Sequence, residues 1–82
     1  MKTVVSYVFT GPTVQFIGLT PRTLRDREYT SRSEAYIPVV GEEVMIQWGD
    51  DPAQSNSFIV EGISNQVWAE KDCVTVAVKF HG

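Results

Sequence analysis

The side chains in this chain that could do chemistry are few and poorly spaced for it. His81 is the only histidine and Cys73 the only cysteine. If residues 73–80 form one strand, the two lie roughly 26 Å apart at about 3.3 Å per residue. A nucleophile and its base need hydrogen-bond reach, so they cannot act as a pair. One Cys and one His also fall short of the four ligands of a usual zinc site, and Asp50-Asp51 lacks the alternating oxygen ligands of a calcium loop. Gly11, Gly18, Gly41, Gly49, Gly62 and Gly82 stand singly, so no phosphate-cradling loop is present. Acid pairs for glycoside chemistry would have to come from Glu43, Glu61 or Asp72, whose separation the sequence does not set. The expectation is a protein that is not an enzyme, with no catalytic residues, no cofactor and no metal.

Binding surfaces are the remaining candidates. Arg22, Arg25, Arg27 and Arg32 place four of the seven basic residues in one segment, with Tyr29 among them. Guanidinium groups and an aromatic ring can hold phosphates and stack on bases. Single-stranded nucleic acid is therefore one class of partner. Asp26, Glu28 and Glu34 are interleaved with the arginines and would neutralise much of that field in a solvated loop. Trp48 and Trp68 are expected in the core or at its margin, although large aromatics near loops also anchor interfaces. Asp50 and Asp51, next to Trp48, form an acidic patch distinct from the arginine segment. Two oppositely charged projections suit the binding of another protein better than turnover of a substrate.

Length and charge narrow the field further. Eighty-two residues, 43% hydrophobic, make one domain over residues 1–82. Burial gain and ordering cost are comparable in so short a chain, so a homodimer that buries more apolar surface is compatible with it. A single cysteine forms no intrachain disulfide, which favours a reducing compartment. Residues 1–9 carry a lysine and an apolar run, but they alternate and lack a small-residue cleavage site, so they read as a strand rather than a signal peptide. No stretch is long enough to span a bilayer. The expected location is the cytoplasm. The net charge of −3 argues against nonspecific binding to DNA or anionic lipid. The acids concentrate in residues 42–82, which hold seven of the ten.

The elements that must position these residues are strands. Residues 3–9 alternate, with Val5, Tyr7 and Phe9 on one face. Residues 14–19, with Val14 and Phe16 on one face, are either the second arm of a hairpin or the continuation of one bent strand. Thr20-Pro21 has the chemistry of a helix start, yet only Leu24 in residues 21–28 could face a core. That segment is a single helical turn or an irregular excursion. Pro38 confines residues 35–40 to an edge strand or a crossing segment, and Gly41 permits a sharp turn before the strand at 43–48, whose core face is Val44, Ile46 and Trp48. A polar connection over 49–56 leads to a strand beginning at Phe58. Val60 and Ile63 have opposite parity, and a bulge near Gly62, with that glycine at positive φ, would restore register through Val67 and Trp68. Residues 73–80 form the clearest strand, with Val74, Val76, Val78 and Phe80 on one face. The last forty residues thus form a three-stranded antiparallel meander.

The run Gly41-Glu42-Glu43-Val44, with the bent strand after it, resembles the glycine, acidic residue, valine approach of SH3-like barrels, over roughly residues 38–80. The resemblance implies an all-β fold, a small, partly open antiparallel barrel of five to six strands. Peptide-binding SH3 domains carry an aromatic-rich Ala-Leu-Tyr-Asp-Tyr type motif near their start, and this chain has none, so a proline-rich ligand is not implied. The leading expectation is a small noncatalytic module that binds a protein partner. An adaptor, an assembly component or an inhibitor of the kind encoded by phages and mobile elements would fit. Its binding residues are expected among Arg22, Arg25, Arg27, Tyr29, Arg32, Trp48, Asp50 and Asp51, on the segments 20–34 and 49–56.

Overall fold

β5, Lys71–Phe80, lies at the centre of a five-stranded sheet, with β1 (Lys2–Phe9) on one side and β4 (Ser55–Val67) on the other. The computed structural model describes residues 2–82. β2 (Arg22–Tyr29) and β3 (Glu43–Gln47) are the two end strands, giving the order β2-β1-β5-β4-β3. The sheet curls so that its two ends approach each other, and the result is an all-β half-barrel. The meander β3-β4-β5 is antiparallel as expected. The first and last strands, however, pair in parallel, Val5 beside Val74 and Phe9 beside Val78, so the sheet is mixed rather than wholly antiparallel. The chain can bring these strands together because it returns through β2, β3 and β4 before laying down β5, a long crossover of the kind a parallel pair requires.

The concave face is the core. Val5 and Phe9 from β1, Phe58 and Val60 from β4, and Val74, Val76 and Val78 from β5 are fully or almost fully buried, and Phe9 meets Phe58 edge to face. Ile46 and Trp48 are buried, with Val44 packed against them, which is the core face read from the alternation of β3. Pro38 is fully buried in a segment that crosses to β3 without joining the sheet. Gly41 then turns the chain at φ +92°, its N–H donating to Val60 O at 2.8 Å. Thr3 is the one buried polar residue, and its hydroxyl has no hydrogen-bond partner among the described residues.

Register in β4 shifts between Val60, opposite Val78, and Gly62, opposite Ala77. Glu61 is the extra residue, and its exposed carboxylate accepts from the Thr10 hydroxyl at 3.1 Å. The bulge brings Ile63 opposite Val76 and into contact with the core, as the parity of the sequence demands. Gly62 itself does not take positive φ, contrary to expectation, and a Cβ there would meet nothing within 4 Å. The bulge is therefore carried by Glu61, and the glycine is permissive rather than required.

Three further expectations are corrected. Residues 14–19 are neither a hairpin arm nor part of a bent strand. They form a tight turn closed by Val14 and Leu19, with Gly18 at φ +74°. Leu19 is fully buried, whereas Phe16 is 81% exposed. Residues 21–28 are neither a helical turn nor an irregular excursion but most of β2, while the one 3-10 turn lies at Arg32–Glu34. Trp68 is not at the core margin. It is 58% exposed in the turn between β4 and β5, where its N–H donates to Lys71 O.

The two glycines separate cleanly in a stability test. Gly41→Ala is expected to lower urea-unfolding stability by about 1–2 kcal/mol, the cost of a left-handed backbone with a Cβ. Gly62→Val is expected to stay within about 0.5 kcal/mol of the parent. A midpoint that moves at position 62 and not at 41 would refute the assignment of the turn and the bulge.

Candidate functional site

β2 sorts its charges by strand parity. Cross-strand neighbours share a face, and β1 places Phe9 beside Arg22, Tyr7 beside Arg25, Val5 beside Arg27 and Thr3 beside Tyr29. Val5 and Phe9 are core residues, so all three arginines and Tyr29 stand on the concave side. A register shift at Leu24 makes this possible by adding one residue between Arg22 and Arg25, and Leu24 itself is buried. Asp26 and Glu28 stand on the convex side, where Glu28 meets Lys2 at 3.4 Å. A solvated loop would mix these charges. The strand separates them into a basic inner row and an acidic outer row.

Two of the inner arginines bridge the open seam of the half-barrel. No backbone ladder joins β2 to β3, so the carbonyls at the end of β3 would face water unpaired. Arg22 Nη2 donates to Trp48 O at 2.7 Å, and its guanidinium lies 5.9 Å from the centre of the Trp48 ring. Arg25 Nε donates to Gln47 O at 2.7 Å and Nη2 to Gly49 O at 3.3 Å. Hydrogen bonds to charged groups contribute about 1.5–3 kcal/mol, and exposure at Arg25 discounts its share toward about 1 kcal/mol.

Beyond the clasp the seam opens into a groove of about 460 Å³. Arg25 and Arg27 line it from β2, Val44 and Ile46 from β3, with Tyr7 and Tyr36 completing the wall. Met45, 70% exposed, lies on its rim. The Tyr36 hydroxyl donates to the Glu42 carboxylate, which also accepts from the Val39 N–H at 3.2 Å. Arg27 makes no side-chain hydrogen bond or ion pair among the described residues. Burial raises the Tyr7 phenol above its ordinary value. Tyr29 adds to the rise, Arg27 pulls the other way and Glu42 adds a little more. The groove is thus partly desolvated, basic on the β2 side and apolar on the β3 side.

The other residues singled out from sequence are dispersed. Tyr29 is half-buried opposite Thr3, and Arg32 Nη2 donates to Asn65 Oδ1 at 2.8 Å, tying the 3-10 turn to β4. Trp48 is buried, with Nε1 donating to Asn56 Oδ1 at 2.9 Å, so it serves the core. Asp51 caps its own turn by accepting from the Ala53 N–H at 2.9 Å, and Asp50 is exposed beside it. Cys73 sits near the start of β5 and His81 just past its end, where His81 Nε2 lies 3.6 Å from Glu43 Oε2. Among the described residues no group of three or more His, Cys, Asp or Glu could hold a metal ion, and no helix is long and apolar enough to cross a membrane. Tyr7, Tyr36, Val44, Met45 and Gln47 were not identified from sequence as lining a site. The signal within reach was the run Arg25-Asp26-Arg27-Glu28, whose charges alternate with the period of a strand.

The raised Tyr7 value has a pH consequence. The folded state holds the phenolic proton more tightly than the unfolded chain, whose tyrosines ionise near about 10. The associated stability is full below that pH and lost as pH rises through the folded-state value. Tyr7→Phe is expected to retain more of its neutral-pH stability above about pH 10 than the parent does, measured by urea unfolding. Parallel alkaline losses in the two proteins would contradict the placement of Tyr7 in a desolvated wall.

Compared with known proteins, the chain matches no family model, no curated protein and no solved structure.

Proposed function

We propose that this protein is a noncatalytic protein-binding module whose binding surface is the groove between β2 and β3. The observation that carries the proposal is the seam itself: two end strands without a ladder between them, held at one end and open at the other. Next to that opening stand Arg27, a cation with no hydrogen bond or ion pair among the described residues, and two exposed side chains suited to interfaces, Tyr36 and Met45. The charged segments identified from sequence thus contribute through β2, while the acidic turn at Asp50 and Asp51 lies outside the groove. An adaptor, an assembly component or an inhibitor of the phage and mobile-element kind fits a chain of this size. The approach of Gly41-Glu42-Glu43-Val44 to β3 supports an SH3-like kinship, and the parallel β1–β5 ladder departs from the antiparallel barrel that such kinship implies. A cytoplasmic location rests on the absence of any disulfide partner for Cys73.

Nucleic-acid binding has less to work with. Arg22, Arg25 and Arg32 already donate to protein acceptors, which leaves Arg27 as the least committed cation of the four. Affinity capture from the native cell tests the proposal, with Arg27→Glu as the disrupting variant and Lys79→Glu, exposed on the opposite face of the sheet from the core, as the control. A stoichiometric protein retained by the parent and the control but lost with Arg27→Glu is the expected result. Failure of the folded protein to retain any protein, together with a salt-sensitive shift of single-stranded oligonucleotides, would overturn it in favour of nucleic acid.

A further inference from the structure

The groove has a property that selects its occupant: one of its walls is the free edge of a strand. β2 pairs with β1 along its whole length on one side and with no strand on the other. Backbone groups on such an edge are ready to pair with an incoming chain. Toward the clasp the edge is engaged by Arg22 and Arg25, and past it Arg27 lines the open part of the seam. We propose, resting on the protein-binding reading above, that the groove accepts an extended segment of the partner as an added strand along β2. That strand carries a carboxylate facing Arg27 and basic or neutral residues facing Asp26 and Glu28.

The charge rows of β2 dictate this alternation. In an added antiparallel strand, directly opposed side chains share a face, and opposite charges there favour pairing while like charges oppose it. An inner carboxylate would meet Arg27, and outer acids would meet Asp26 and Glu28. Acids are therefore favoured at one parity and disfavoured at the other. The same rule disfavours a second copy of this chain as the occupant. Two β2 strands paired edge to edge in antiparallel fashion would set arginine opposite arginine on the inner face and acid opposite acid on the outer. Val44 and Ile46, across the groove, give the inner face of the added strand apolar surface to cover beside its carboxylate. The incoming backbone supplies the hydrogen bonds that the β2 edge lacks.

The probe is a synthetic eight-residue peptide alternating glutamate with threonine and lysine. Two companions isolate the causes: one with its glutamates replaced by lysines, and one with alternate backbone nitrogens methylated so that it cannot form a ladder. Amide hydrogen exchange of the full chain is followed as each peptide is titrated into the millimolar range. The expected result is slowed exchange at β2 amides within Asp26–Tyr29 with the glutamate peptide. Affinity should fall by about tenfold or more with Arg27→Glu, and neither companion should protect β2. Absence of β2 protection by the glutamate peptide, or equal binding of the methylated companion, would overturn strand addition. If Arg27→Glu still loses the captured cellular partner in that case, the protein-binding reading survives and only the mode of binding is wrong. A concentration-dependent dimer in sedimentation that Arg27→Glu dissociates would assign the edge to self-pairing and also overturn the proposal.

Discussion

The guanidinium groups of Arg22 and Arg25 donate across the seam to the carbonyls of Trp48, Gln47 and Gly49, where a closed barrel would have a backbone ladder. A ladder holds two strands at about 4.8 Å. An arginine side chain holds them by a longer arm and at one point, so the strands meet at the clasp and part beyond it. The partial opening of the barrel, the groove and the exposure of the β2 edge all depend on that substitution. It also explains why three basic residues sit on the core side of a small sheet. They occupy the end of the concave face that no apolar layer covers, where their stems can lie over the core and their charged ends reach carbonyls and water.

Two bulges make the arrangement fit. Leu24 adds a residue to β2, so that Arg22 and Arg25 both point inward although they are three apart, and the added leucine fills core space beneath them. Glu61 adds a residue to β4, which returns Ile63 to the core and increases the local twist that curls the sheet. Without the first bulge the clasp would lose one of its arginines to the convex face. Without the second, β4 would present Ile63 to water and Gly62 to the core.

Legibility in the sequence follows burial. β5 was clear because both its neighbours and its inner face are protein, so Val74, Val76, Val78 and Phe80 had to alternate with smaller or polar residues. β3, although an end strand, was readable because Ile46 and Trp48 are buried on its inner face, and the bulge in β4 because both Val60 and Ile63 pack on the core. β2 was hidden because it is an end strand whose inner face looks onto an open mouth. Its inward positions hold arginine instead of valine, and an apolar periodicity cannot report a strand with one deeply buried side chain. The parallel pairing of β1 with β5 leaves no local trace, since strands at opposite ends of the chain set it by long-range packing. Trp68 was misplaced because a large aromatic signals burial on average, and this one lies in a turn. For the site, the arginines were found and their geometry was not. A helical turn or an irregular excursion over residues 21–28 would mix charges that the strand keeps apart.

Native-state hydrogen exchange on an Arg22→Met, Arg25→Met double variant tests the central claim most directly, because methionine keeps an unbranched apolar stem and removes the donors. If the two arginines hold β3 against β2, amides of Val44–Gln47 should exchange faster than in the parent, with global stability lower by about 1–3 kcal/mol and β1 and β5 remaining the slowest to exchange. Unchanged exchange in β3, with an unchanged unfolding midpoint, would show that the seam is held by the core alone and that the clasp is incidental.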